Sequence, residues 1–183
     1  MNRKSLLLFF LTLVLILIFI LAQDESDADV QIYKSNIMGT SYSVTIHSKV
    51  DSQNTFFQVS NILNKINQDM STYIENSLIS RVNQSEIGQW TKVSKDFIEV
   101  LNYAIEICNQ SKGVYDVSIG KLVNLWGFGP DNANSRPSKD TINYLTSQVG
   151  CDSVQTNVDS QSVRKVRDVE LDFSSIAKGF AID

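Results

Sequence analysis

The chain predicts a single α+β domain in which antiparallel strands carry two long packed helices. Three observations predict it. Short runs alternate apolar and polar residues and pair off as hairpins, and two longer stretches repeat apolar residues at helical spacing. Strands and helices do not alternate in the regular way that a parallel βαβ sheet needs. The length of 183 residues, with 43% hydrophobic and 20% charged, suits one domain with a sizeable core. A net charge of −4 and no Lys/Arg cluster argue against a nucleic-acid partner.

Arg3 and Lys4 precede an apolar run from Leu6 to Ala22, and Asp24, Glu25, Asp27 and Asp29 follow it. Basic residues before such a run and acidic ones after it keep the N-terminus inside and send the rest across the membrane. Residues 1–22 are therefore expected to be a signal peptide or a membrane anchor. Residues 23–30 read as an acidic linker, and residues 31–183 as the folded domain on the extracytoplasmic (periplasmic) side of the cell membrane.

Ile32-Tyr33 and Tyr42 to His47 alternate as half-buried strands, and Gly39 between them permits a tight turn, so a hairpin is expected. His47, the one histidine, reads as a strand residue and has no second histidine with which to hold a metal. Phe56, Val59, Leu63, Ile66 and Met70 mark an amphipathic helix over about 54–69. Trp90 to Val93 is strand-like, after which Ser94 caps a second helix with the stripe Phe97, Val100, Leu101, Ala104, Ile105 and Cys108, and Gly113 closes it. Trp126-Gly127-Phe128-Gly129-Pro130 is expected to be a hydrophobic clasp over the core. Asp131 to Lys139 is a polar loop, and Ile142, Leu145 and Val149 suggest a short helix ended by Gly150. Val154, Thr156 and Val158, then Val163 and Val166, form a hairpin around Asp159-Ser160, before a last strand from Val169 to Phe173. Cys108 and Cys151 are compatible with a disulfide outside the cytoplasm and equally with two buried thiols.

The final stretch, Leu171-Asp172-Phe173-Ser174-Ser175-Ile176-Ala177-Lys178-Gly179-Phe180, reads as a strand turning through two serines into a helix. Such a turn can be a simple serine cap with a solvated lysine. It can also be an anion site, with backbone N–H groups and the Lys178 charge facing a phosphate, and Asp172 and the hydroxyls holding a hard cation or a ribose.

This stretch resembles the Asp-Leu-Gly-Gly-Ile-Ala-Lys-Gly-Tyr-Ala-Val-Asp segment of the FAD:protein FMN transferases, the ApbE family. Three more stretches resemble that family in the same order: Met38-Gly39-Thr40-Ser41-Tyr42; Met70-Ser71-Thr72-Tyr73; and Gly113-Val114-Tyr115-Asp116 leading to Leu122 through Pro130. Ser80-Arg81-Val82-Asn83 is similar to the family's Ser-Arg-Phe-Asn. The resemblance implies an enzyme that moves FMN from FAD to a threonine or serine hydroxyl of a target protein and releases AMP. It implies FAD contacts at Met38, Tyr73, Val114, Tyr115, Asp116, Asp172 and Lys178, and a magnesium ligand at Ser175. The family runs to about twice the matched length, and its second half supplies an aspartate-rich magnesium segment and a histidine loop. The chain is thus expected either to be a fragment, incomplete at the C-terminus, or to have its site completed by another chain. An FAD pyrophosphatase giving FMN and AMP, and a non-catalytic membrane-tethered FAD-binding domain, are the alternatives.

Overall fold

The computed structural model describes residues 3–22, 30–47, 51–130 and 136–183; side chains of the first helix are described from Phe9 to Ile18. The linker at 23–29 and the first part of the polar loop, 131–135, lie outside the described residues. Residues 1–35 and 42–57 cluster as one compact unit, and residues 36–41 and 58–183 as a second.

In the first unit the apolar leader forms α1 (Arg3–Ala22). Among the described residues no helix is long and apolar enough to cross a membrane. Here also lie the stems of the expected hairpin, β1 (Val30–Ile37) and β2 (Thr40–His47), together with the start of α2 (Ser52–Met70). Phe56 stacks on Tyr33 at 4.8 Å between ring centroids and lies 6.2 Å from Tyr42. The Tyr33 hydroxyl, Ser52 Oγ and Gln31 Oε1 close a triangle of hydrogen bonds of 2.6–2.9 Å. Helix α2 starts ahead of the expected 54–69 because Asp51 caps it, its carboxylate accepting the Asn54 N–H at 3.1 Å.

The second unit holds the core. Met38 and Gly39 form the two-residue loop of the hairpin, with φ of 51° and 70°. Two positive values are what a primed turn requires to match the twist of its strands. Glycine adopts this backbone freely, whereas Met38 adopts it against its own side chain. A helix not anticipated from the sequence, α3 (Leu78–Gln84), begins at Ser77, whose Oγ accepts the Ser80 N–H at 3.1 Å. It buries Ile79 and Val82 completely. Next come β3 (Thr91–Lys92) and α4 (Lys95–Gln110), capped as expected by Ser94, which accepts the Phe97 N–H at 3.1 Å.

The end of α4 differs in detail from the glycine cap read from the sequence. The left-handed residue is Lys112 (φ 56°), and Gly113 (φ 82°) follows it. Gly113 N–H donates to the Cys108 carbonyl at 2.8 Å and Lys112 N–H to the Asn109 carbonyl at 3.1 Å, the paired bonds of a Schellman motif. A short α5 (Gly120–Leu125), also unanticipated, and α6 (Lys139–Gln148) precede the hairpin β4 (Val154–Asn157) and β5 (Ser162–Lys165). The sheet order is β3-β5-β4, antiparallel throughout, with Thr91 opposite Val163 and Thr156 opposite Val163 on its other side. Phe97 and Phe173, both fully buried with ring centroids 5.0 Å apart, pack at the centre of the core with Leu101, Ile79, Val163, Val169 and Leu171.

Two expectations need correction. The segment Val169–Phe173 is extended, but its ladder contact is an isolated parallel bridge between Glu170 and Ile119. One side of it meets backbone, through Gly120 N–H to the Glu170 carbonyl and Asp172 N–H to the Val117 carbonyl, each 2.8 Å. On the other side a side chain stands where a strand would. Asn83 Nδ2 donates to the Leu171 carbonyl at 2.9 Å, and its Oδ1 accepts the Leu171 N–H at 2.7 Å. The loop Trp126–Pro130 does not clasp the core, because Trp126 and Phe128 are 52% and 78% exposed. It is held instead by a polar contact, the Tyr73 hydroxyl donating to the Phe128 carbonyl at 2.9 Å.

Cys108 and Cys151 form a disulfide, which settles the alternative left open by the sequence; their Cα atoms are 5.6 Å apart.

Candidate functional site

A cavity of about 600 Å³ opens in the second unit, lined by the hairpin loop, the end of α2 with the turn after it, and the final turn of the chain. Each wall has a local cause. Met38 reaches it because the primed turn directs the loop there, and Met38 also packs on the core. At Met70 the α2 pattern ends, and Ser71, Thr72 and Tyr73 continue as turns lining the cavity. Tyr73 is 67% exposed, leaving its ring face free, while its hydroxyl is fixed on the Phe128 carbonyl. An aromatic ring so held suits stacking on a planar ligand. Ser174, Ala177 and Lys178 complete the wall, and Lys178 is an exposed cation at its edge.

Asp172 is buried and lies just behind this wall. Its Oδ1 accepts the Ser174 N–H at 2.7 Å and also the Ser174 hydroxyl, which fixes the turn that delivers Lys178. It lines a smaller hollow of about 220 Å³ that shares Thr72 with the main cavity and includes Asn83, Asn124 and Glu170. Met38, Tyr73 and Lys178, from three segments distant in sequence, thus line one cavity, and Asp172 is bonded to Ser174 of its wall.

The other site residues read from the sequence lie elsewhere. Ser175 does not share a wall with Lys178; it faces a second hollow, with Ile176, Gly179 and Phe180, between α2 and α4. The reason is that the helix starts late. The final α7 spans only Ala177–Phe180, and its first cap is Ile176 with no side-chain hydrogen bond, so neither serine caps it. A helix of one turn has little dipole to offer an anion. Ser175 Oγ instead pairs with the Tyr115 hydroxyl at 3.1 Å. Val114 is 91% exposed, and Asp116 accepts the Ser118 N–H at 2.8 Å in a local turn. Tyr115 is therefore the member of its trio that reaches the final turn, through Ser175.

Asn83 is the residue whose part the sequence reading missed. It was visible as the last residue of the Ser80-Arg81-Val82-Asn83 stretch, but only the fold shows that its amide supports the segment carrying Asp172. Behind it Lys165, 4% exposed, donates to the Asn83 carbonyl at 2.5 Å. Burial, and then the charge of Lys121, lower the Lys165 pKa from the usual lysine value. Among the described residues no group of three or more His, Cys, Asp or Glu is placed to hold a metal ion.

Comparison with known proteins identifies the family. The FAD:protein FMN transferase of Haemophilus influenzae is 34% identical over 172 residues, covering 89% of this chain and 50% of the relative. The enzyme of the same name from Vibrio cholerae is 29% identical, covering 91% of this chain and 51% of the relative. The chain thus spans about half the length of these curated relatives. Among solved structures, the apo flavinyl transferase ApbE of Pseudomonas stutzeri superposes with a TM-score of 0.79 at 27% identity, over 87% of this chain and 54% of that one. The flavin transferase ApbE from Vibrio cholerae gives 0.76 at 28%, over 84% of this chain and 52% of that one. The ApbE family model matches residues 38–183, from the hairpin loop that opens the cavity to the turn that closes it, and the chain belongs to the ApbE family.

Proposed function

We propose that the protein works in transfer of FMN from FAD to a threonine or serine hydroxyl of a target protein, releasing AMP. The observation that carries this reading is the cavity itself, where an exposed tyrosine ring, a methionine and a lysine from distant segments stand around a space that a flavin and its phosphate could enter. The relatives' shared name supports it. In the reaction the acceptor oxygen attacks the FMN phosphorus of the pyrophosphate. The bond to the bridging oxygen breaks, AMP leaves with that oxygen, and the hydroxyl proton is lost. Negative charge grows on the leaving AMP oxygen, and a cation beside the pyrophosphate offsets it. Lys178 is this chain's residue for that task. Tyr73 and Met38 hold the flavin, the Asp172–Ser174 turn sets where Lys178 stands, and Val114, Tyr115 and Asp116 contact the rest of the dinucleotide.

Magnesium dependence is part of the proposal, since that ion takes phosphate and hydroxyl oxygens; Ser175, whose hydroxyl is paired with that of Tyr115, would be the ligand offered by this chain. The donor set described above does not build such a site by itself, so no step is routed through the metal. The reading places the protein at the cell membrane through Leu6–Ala22, with the domain on the extracytoplasmic side. The Cys108–Cys151 disulfide supports an oxidising compartment.

The test is FAD binding by the full chain with and without magnesium, followed by flavin fluorescence of a candidate acceptor in a denaturing gel. Saturable binding with label on the acceptor is the expected result. FAD split to FMN and AMP without an acceptor would favour a pyrophosphatase, and binding without turnover at any magnesium concentration a flavin-binding domain.

A further inference from the structure

We infer that the Cys108–Cys151 disulfide is a positioning element of the ligand site, clamping the loop Ser111–Ser118 that carries Val114, Tyr115 and Asp116; the inference rests on the FAD-binding reading above. The argument follows the chain outward from each sulfur. Cys108 is 2% exposed on the last turn of α4, and its carbonyl accepts both the Gly113 N–H at 2.8 Å and the Ser111 hydroxyl at 3.1 Å. Ser111 Oγ in turn accepts the Tyr115 N–H at 3.0 Å. The Tyr115 hydroxyl then meets Ser175 Oγ at 3.1 Å. From Cys108 to the final turn of the chain there is thus an unbroken run of short contacts.

Cys151 holds the other side. Its neighbour Gly150 donates its N–H to Ser118 Oγ at 3.3 Å, and Ser118, 2% exposed, takes the Asp116 carboxylate on its own N–H at 2.8 Å. The loop between these anchors is tied down at both ends, by the Cys108 carbonyl at one and by buried Val117 and Ser118 at the other, while Val114 at its tip is almost fully exposed. The disulfide fixes the two ends to one another. Cys108 is 2% exposed, so its sulfur is screened from an attacking thiolate, which fits a permanent clamp.

Three measurements test this on the full chain. First, amide hydrogen exchange without FAD is compared between wild type and the Cys108→Ala/Cys151→Ala double variant. The amides of Gly113, Tyr115 and Ser118 should exchange faster while those of α3 stay protected. Second, FAD affinity is measured well below the melting temperature. If the freed loop holds its binding conformation about a tenth of the time, the Kd rises about tenfold. Third, Val163→Ala, a core truncation in β5, serves as a control that lowers the melting temperature and should leave the Kd unchanged. Unaltered exchange at 113–118, or a Kd that moves equally in the control, would overturn the inference. If the double variant does not fold, Ser111→Ala decides. It cuts the link to Tyr115 at a half-buried position, and unchanged exchange at Tyr115 with unchanged Kd would sink the clamp. A wild type that does not bind FAD at all means that this chain needs the remaining half of the site, and the exchange data still overturn or support the clamp.

Discussion

Replacing Asn83 with alanine tests how the segment leading to Asp172 is held. Leu171 is fully buried, and both of its backbone polar groups bond to the Asn83 amide, at 2.7 and 2.9 Å. Alanine leaves the N–H and the carbonyl of a buried residue without their protein partner. An unmet buried group costs about 1–3 kcal/mol, so the pair should cost roughly 2–4 kcal/mol after partial relaxation. For a domain of this size that corresponds to a fall in melting temperature of roughly 6–12 °C. Urea unfolding followed by tryptophan fluorescence measures it, with an unchanged slope showing that the two states themselves are the same. Asn83→Asp adds a second arm. A carboxylate can still accept the Leu171 N–H but sets an oxygen against the Leu171 carbonyl, so it should be no better than alanine at neutral pH. A loss below about 1 kcal/mol for Asn83→Ala would refute the reasoning, because it would mean that the segment pairs through backbone alone.

Further outcomes follow from the same geometry. Lys178→Ala should weaken FAD binding about tenfold, the worth of one charge-assisted contact to phosphate, while leaving the melting temperature within about 1 °C because the side chain is exposed; equilibrium titration checks both. Loss of the disulfide, which closes a separation of 43 residues, should cost about 4 kcal/mol on the chain-entropy relation, read by denaturant unfolding of the double alanine variant. Lys165 has a folded-state pKa below its unfolded value, so the unfolded chain binds more protons between those two values and stability should rise there as pH increases. That rise runs up to about pH 10.5 and should be absent in Lys165→Met, which thermal melts across alkaline pH would reveal.

The sequence carried most of the architecture because most of it is written in periodicity. Ser94 before Phe97 to Cys108, and valines on either side of Asp159-Ser160, specify a capped helix and a hairpin with little help from tertiary context. The elements that escaped are short. In α3 and α5 too few turns exist for a stripe to show, and their stability comes from burial of Ile79 and Val82 or from Gly120 lying against Glu170. The segment Val169–Phe173 has the composition of a strand, and its backbone is extended, but a side-chain amide took the place of the partner strand. No local pattern encodes that exchange. The cavity residues Met38, Tyr73 and Lys178 were legible through motif resemblance. The separation of Ser175 from Lys178 was not, because it depends on the residue at which the last helix begins.

The burial of Lys165 has a practical side. An amine-acylating reagent needs a free, accessible nitrogen, and this one is shut between α3 and β5 with its hydrogen on the Asn83 carbonyl. Exposed lysines such as Lys178 will label at once. Lys165 can react only when the two elements part, so its labelling rate records how often that interface opens. Read by peptide mass mapping, a single residue becomes an internal clock for the unfolding of the support on which the site rests.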